Sequence, residues 1–353
     1  MRFCKFWLGF VLVCAGSAHG QITGAGATFP SAAYQAWGAE YQKRTAKQFL
    51  YAPTGSGDGQ KKIIARAVEI GASDIALPPS ELAKHGLIQL PTLVGAMVPV
   101  VNLKGVPANA LKLNGAVLAD IFLGKVVHWR DKSIEALNPG LRLPNLPIVR
   151  VVRADKSGST DTFTHYLSMQ SDAFEKTLGR SGLPAWPAAA SPLEKGEGND
   201  GVVKLLKELP GAISYASYDR VLKQGLTSVA LRNGTDTGYV AVSERAFRAA
   251  VMASGMYKTG DESSNLINLP QENAWPITMT TFMLMDAEPK TAAAVQDAVQ
   301  FIYWTQLSGD LLLKNSGFAP LPSMVQARFA ARLAAIHPKD GSIVSLRTMA
   351  SAY

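Results

Sequence analysis

Arg153-Ala154-Asp155-Lys156-Ser157-Gly158-Ser159-Thr160 sets an arginine, two serines and a glycine between an apolar strand-like run, Ile148 to Val152, and a helix-like run that begins at Thr160. A helix start leaves backbone N–H groups without partners and presents the positive end of the helix dipole, so these residue types favour a bound oxyanion such as phosphate or sulfate. Three further turns share that placement. In Gly24-Ala25-Gly26-Ala27-Thr28-Phe29-Pro30 the glycines close a short strand and Pro30 opens the next helix, where its missing N–H costs little. Thr28 and the N–H of Phe29 face any anion bound there. Thr54-Gly55-Ser56-Gly57-Asp58-Gly59 leads into Gln60 to Val68, and Gly71-Ala72-Ser73-Asp74 closes the strand-like Val68 to Ile70. Each turn alone also fits a plain strand-to-helix connection. Gly24-x-Gly26 lacks the last glycine of a dinucleotide fingerprint, and Gly59-Gln60-Lys61 lacks the spacing of a Walker loop. It is their repetition beside Arg153 that points to an anion.

Turns of this kind need a scaffold that alternates strands and helices, and the chain supplies one. Tyr34, Trp37 and Tyr41 fall on one face of a helix over Pro30 to Lys47, and Gln48 to Ala52 follows as a strand. Gln60 to Val68, Ala116 to Leu123, Thr160 to Met169, Asn199 to Leu209, Ser243 to Ala253 and Lys290 to Gln306 read as helices. Leu93 to Leu103, Ile148 to Val152, Ala212 to Tyr215 and Ile277 to Met285 read as buried strands. The pattern is that of an α/β protein. Leu183 to Asp200 and Lys258 to Ala274, rich in Pro, Gly, Ser, Asn and Glu, read as surface loops.

The chain has 353 residues, 47% hydrophobic and 18% charged, which is the balance of a globular protein large enough for two domains. Residues 1–20 stand apart. Arg2 and Lys5 precede an apolar stretch from Phe6 to Ala15, and Ala18-His19-Gly20 offers small residues before Gln21, the pattern of a cleavable export signal. Val13 before Cys14 does not suit lipid attachment. Both cysteines, Cys4 and Cys14, lie in that segment, so the mature chain has no disulfide and no thiolate chemistry. A net charge of +8 falls to +6 on losing Arg2 and Lys5, a balance that draws in small anions. Lysines and arginines are scattered without aromatic platforms between them, which argues against nucleic acid. The histidines His19, His85, His128, His165 and His337 show no metal-binding spacing.

The turns quoted above, together with Gly198-Asn199-Asp200-Gly201, Ala274-Trp275-Pro276-Ile277 and Ala319-Pro320-Leu321-Pro322, resemble the periplasmic phosphate-binding proteins of bacterial ABC importers, the PstS family. The resemblance covers essentially the whole mature chain, with the motifs in family order. It implies an α/β, two-lobed periplasmic-binding-protein fold, each lobe a central, mostly parallel sheet flanked by helices, joined by a strand hinge. Residues 21–93 and 278–353 would form lobe one, and residues 94–277 lobe two. By motif position, Thr28, Phe29, Ser56 and Asp74 would bind phosphate from lobe one, and Arg153, Ser157, Gly158 and Ser159 from lobe two. Asp155 would hold the Arg153 guanidinium from behind. The resemblance further implies a monomer with no catalytic residue, no cofactor and no metal. Its partners would be the membrane permease subunits of an ABC importer with its cytoplasmic ATPase.

Within that implied site, Asp74 is the odd member. A carboxylate repels an anion unless the ligand carries a proton, which phosphate does at neutral pH and sulfate does not. A site built around one required hydrogen bond rejects a ligand lacking it by on the order of 10⁴-fold. Ser157-Gly158-Ser159 stands where the family commonly has Ser-Gly-Thr, keeping the hydroxyl and losing the methyl that fixes its rotamer. Asp58 stands where glycine is frequent, either as a solvated turn residue or as a second carboxylate that weakens binding. Two other functions draw on the same residues. One is a hydrolase pairing Ser157 with His165, two helical turns away; the other is a receptor for sulfate, which Asp74 disfavours.

Overall fold

The computed structural model describes residues 20–346 apart from 189–190, 236–237 and 263–264. The export signal read over residues 1–20 therefore lies, but for Gly20, outside the described residues. Among the described residues twelve strands are formed: β1 (Gln21–Gly26), β2 (Gln48–Ala52), β3 (Ile70–Ser73), β4 (Leu87–Val101), β5 (Lys112–Leu113), β6 (Val149–Arg153), β7 (Leu193–Gly196), β8 (Ala212–Ser217), β9 (Thr227–Ser228), β10 (Ala230–Arg232), β11 (Tyr239–Val240) and β12 (Thr278–Asp286). The main sheet runs β2-β1-β3-β12-β4-β8-β6-β7, with β9 also on β4, and β11-β10-β5 makes a small separate sheet.

β4 is the axis of this arrangement. From Leu87 to Ala96 it pairs antiparallel with β12, and from Met97 to Val101 it pairs antiparallel with β8. One buried apolar strand thus belongs to two groups of strands, and its composition suits burial on both faces. The flanks, β2-β1-β3 on one side and β8-β6-β7 on the other, are parallel as expected, whereas the centre around β4 and β12 is antiparallel. The chain returns beside the point where β4 changes partner. Trp275 donates its indole N–H to the Met97 carbonyl at 2.9 Å, and the Met97 N–H donates to the Ile277 carbonyl at 3.0 Å.

Helices cover the sheet through apolar faces. In Ser31–Thr45 the buried Tyr34, Trp37 and Tyr41 form one stripe, and Tyr41 meets Phe301 and Trp304 of the helix Gln296–Ser308, each at 5.3 Å between ring centroids. Among the described residues no helix is long and apolar enough to cross a membrane.

Four element readings need correction. The strand expected over Val68 to Ile70 runs over Ile70–Ser73, because Gly71 and Ala72 pair with β1 and Ser73 with β12 rather than turning away. The helix expected from Gln60 starts at Ser56, because Gly57 and Gly59 sit inside it rather than in a turn. A Cβ on Gly59 would collide with the Ala72 carbonyl and Gly26, so this glycine permits close helix–sheet packing. Leu183 to Asp200 is not all loop: it contains β7, an edge strand parallel to β6, and the first turn of the helix Gly198–Glu208. The helix expected from Lys290 begins as a 3₁₀ turn, Ala292–Ala294, before the α-helix opens at Gln296.

Candidate functional site

The four segments singled out in the sequence meet at the C-terminal ends of β1, β2, β3 and β6, the usual place for ligands in open α/β sheets. Each is shaped by its own residues. Gly26 takes φ +139°, and a Cβ there would strike the Ala72 carbonyl, so only glycine brings β1 this close to the end of β3. Ser157 has extended backbone and caps the helix Gly158–Gln170, its Oγ accepting the Thr160 N–H at 3.2 Å. The cap takes up the Thr160 N–H, and the Gly158 N–H at the head of the helix faces Ser56.

Ser56, 1% exposed, joins three of the turns. Its Oγ accepts the N–H of Asp74 at 3.1 Å and that of Gly158 at 3.2 Å. The Gly57 N–H donates to the Lys156 carbonyl at 3.2 Å, so this helix start is tied to the Arg153–Thr160 segment by backbone as well. Gly158 faces Asp74 so closely that a Cβ would collide with it. Ser159 is buried, and its Oγ has no hydrogen-bond partner among the described residues. An unpaired buried hydroxyl costs roughly 1–3 kcal/mol, which a bound acceptor would offset.

Arg153 is 2% exposed and is gripped from one side by Asp155: Nε donates to Oδ1 at 2.7 Å, and one terminal nitrogen donates to Oδ2. The other terminal nitrogen lies outside this pair. Asp155 Oδ1 also accepts the Gly198 N–H at 3.0 Å. Burial alone would raise the Asp155 carboxyl, but the Arg153 bond and charge and the Gly198 N–H outweigh it and hold it below the usual range. Asp155 thus holds the Arg153 guanidinium from one side.

Asp74 is the only carboxylate among the residues expected to touch an anion, and it is 8% exposed. Its Oδ1 accepts the Thr281 hydroxyl at 2.6 Å. Burial pushes its pKa up to about 7, against the lowering effect of the Thr281 bond, the Arg153 charge, Ser56 and the Arg220 charge. Thr281 reaches Asp74 because the pairing of β12 with β4 slips at this point: Thr281 lies opposite Leu93 and Phe282 opposite Pro91, so Thr92 is bulged out. Thr92 then links Thr281 to the buried Tyr34, its Oγ1 lying 3.3 Å from the Thr281 carbonyl and 2.8 Å from the Tyr34 hydroxyl.

Thr28 and Phe29 occupy the turn after β1. Thr28 Oγ1 accepts both the backbone N–H of Asn199, at 3.3 Å, and its side-chain amide, at 3.0 Å. The Phe29 ring is fully buried, edge-on to Phe318 at 5.4 Å, which fixes the peptide that precedes it. All eight residues expected to bind and Asp155 therefore lie in one cluster. Asp58 lies outside it: its carboxylate pairs with Lys62 at 2.8 Å and accepts the Thr54 hydroxyl at 2.5 Å, which together hold it below the usual range. Asn199, Arg220 and Thr281 belong to the cluster without having been assigned a role. Asn199 sits in a motif already quoted, but Thr281 and Arg220 carry no local signal. His165 is half-buried on the helix Gly158–Gln170, and burial, then the Arg180 charge, hold it below its ordinary value. The Ser157 hydroxyl is engaged as a helix cap. Among the described residues no cluster of His, Cys, Asp and Glu could hold a metal ion.

A family model described as the PBP superfamily domain matches residues 15–307. The phosphate-binding protein PstS of Pasteurella multocida is 35% identical over 311 residues, covering 88% of this chain and 89% of that protein. PstS of Xylella fastidiosa is 36% identical over 302 residues, covering 86% and 82%. Two solved structures share the fold. A phosphate-binding protein from Stenotrophomonas maltophilia superposes with TM-score 0.66 at 19% identity, covering 94% of this chain and 98% of that one. A putative phosphate ABC transporter substrate-binding protein with bound phosphate, from Clostridium perfringens, gives TM-score 0.59 at 15% identity, covering 86% and 100%. With a superfamily model spanning most of its length and relatives at this identity, the chain belongs to the PBP superfamily and, within it, to the PstS family of phosphate-binding proteins.

Proposed function

We propose that this protein is a periplasmic receptor that binds one inorganic phosphate between two lobes and delivers it to the permease subunits of an ABC importer, powered by a cytoplasmic ATPase. The observation that carries the reading is the buried Asp74 carboxylate facing the Gly158 helix start, among donors that otherwise all favour an anion. A protonated oxyanion satisfies both halves of that arrangement. The phosphate hydroxyl donates to Asp74. Its remaining oxygens accept from Arg153, from the N–H of Phe29, from the N–H of Gly158 shared with Ser56 Oγ, and from the hydroxyls of Thr28, Ser56, Ser157 and Ser159. The unpartnered Oγ of Ser159 supports this, as does the Arg153 fork already oriented by Asp155.

Lobe one comprises residues 21–93 and 278–353, and lobe two residues 94–277. The change of partner along β4 at Ala96 and Met97, beside the returning Trp275 to Ile277, supports a hinge at that level. Residues 1–20 direct export and are removed, and the mature protein acts as a monomer. It performs no chemistry on its ligand. The relatives' names as phosphate-binding proteins support the ligand, and the engagement of Ser157 as a helix cap supports the absence of a nucleophile.

Calorimetry with phosphate and with sulfate tests the reading. One phosphate per chain, bound far more tightly than sulfate at neutral pH, is the expected result; equal binding of the two defeats it. Sustained release of nitrophenol from p-nitrophenyl phosphate would point instead to an enzyme.

A further inference from the structure

Arg220 lies in the first turn of a short helix, Tyr218–Gln224, immediately after β8, and is 6% exposed. Its guanidinium works in two directions. Toward its own side, Nη1 donates to Asp219 Oδ2 at 2.8 Å and Nε to Asp200 Oδ1 at 3.2 Å. Across the cleft, Nη1 donates to the Phe29 carbonyl at 3.2 Å and Nη2 to Ser31 Oγ at 2.8 Å. The Ser31 hydroxyl passes the contact on, donating to the Thr28 carbonyl at 3.0 Å. Both peptides of the Thr28–Phe29 turn are thus held, directly or through Ser31, by a cation supplied from the β8 side. A planar fork with several donors suits this bridging; an ammonium does not. Burial disfavours the Arg220 charge, but Asp219 and Asp200 more than compensate and keep it a cation.

We propose that Arg220 is a positioning residue for the bound anion, holding the Thr28–Ser31 turn from the opposite side of the cleft so that the donors of both sides close on one ligand. The inference rests on the phosphate reading above. In its support, the Arg220 charge acts on Asp74 together with that of Arg153. The other ionisable groups around Asp74 are Tyr34 and Tyr51 behind it, and His165, Arg180 and Glu262 around the cavity that it borders.

The test compares the wild type with Arg220→Met, which keeps the length and drops donors and charge, and with Arg220→Lys, which keeps the charge and loses the fork. Release of ³²P-labelled phosphate is chased with unlabelled phosphate. Release is expected to quicken about tenfold in Arg220→Met and less in Arg220→Lys, with association changed by no more than about twofold. The pH at which sulfate begins to compete should rise in Arg220→Met, where Asp74 loses one facing cation, and stay put in Arg220→Lys. A residue that merely stabilised the fold would leave that midpoint in place. Unchanged release and an unchanged midpoint in Arg220→Met, with the wild type binding phosphate, overturn the inference alone. A wild type that binds no phosphate overturns the receptor reading and this inference with it. Should Arg220→Met fail to fold, Arg220→Gln carries the same two measurements.

Discussion

The N–H of Gly158 donates to the hydroxyl of Ser56 at 3.2 Å, joining residues 102 positions apart across the cleft. The same hydroxyl accepts the Asp74 N–H, so one oxygen satisfies two buried donors. Ser56→Ala strands both. We expect a loss of about 1–3 kcal/mol in urea unfolding, with weaker phosphate binding. A change within about 0.5 kcal/mol, the range of a neutral surface substitution, would show that this bridge carries no weight.

Gly158 is required for contact rather than for backbone freedom. Gly158→Ala inserts a methyl against Asp74, and the resulting separation of the two walls should lower phosphate affinity by about tenfold or more. Circular dichroism should stay unchanged, since alanine suits a first helical turn. Retained affinity in calorimetry would mean that the walls need not approach this closely.

Asp74 makes stability depend on pH in a definite direction. Burial pushes its carboxyl up to about 7 from an ordinary 3.8, so between those values the unfolded chain releases a proton that the native state keeps. Its contribution is therefore fully present below the lower value and is lost as pH rises through about 7. Asp74→Asn lacks this dependence. Without phosphate, the melting temperature of the variant should exceed that of the wild type increasingly from pH 4 to 7, with the gap level above that. A constant gap would place the Asp74 titration elsewhere.

The same titration governs selectivity. Below about 7 the protonated Asp74 can donate to an oxyanion that has no proton of its own, so sulfate should compete better as pH falls from 8 to 5.5. In Asp74→Asn, competition by sulfate should be stronger at pH 8 and nearly independent of pH. Competition measured against labelled phosphate decides this; a flat wild-type profile would sink it.

Asp58 offers a negative control. Its carboxylate is spent on Lys62 and Thr54, so Asp58→Asn should alter phosphate affinity by no more than about twofold, as for an exposed ion pair. A large gain in affinity would mean that its charge reaches the ligand after all.

The parts of the site that were legible in sequence are those built locally. Ser157 to Ser159 announce themselves because cap, glycine and helix follow in order, and Gly26 and Thr28 because a glycine-ended strand meets Pro30 at the head of a helix. Strand Gln48–Ala52 was legible to the residue. Gly57 and Gly59 misled, since close packing, of Gly59 against β1 and β3 and of Gly57 against Lys156, overrides their reluctance to enter a helix. Thr281 and Arg220 left no trace. Their partners, Asp74 and Phe29, are 207 and 191 residues away, and a bulge, not a motif, turns the threonine inward.

β12 is the last strand made among the described residues and yet lies in the middle of the sheet, between β3 and β4. A chain still lacking residues 278–286 has two sets of strands with unpaired inner edges and no way to join them. Folding is then a late event governed by non-local pairing, and slow for that reason. The partner of Asp74, Thr281, arrives on this same strand. The polypeptide consequently leaves the ribosome without a finished core, because the strand that joins the two sets is among the last parts of the chain to be made.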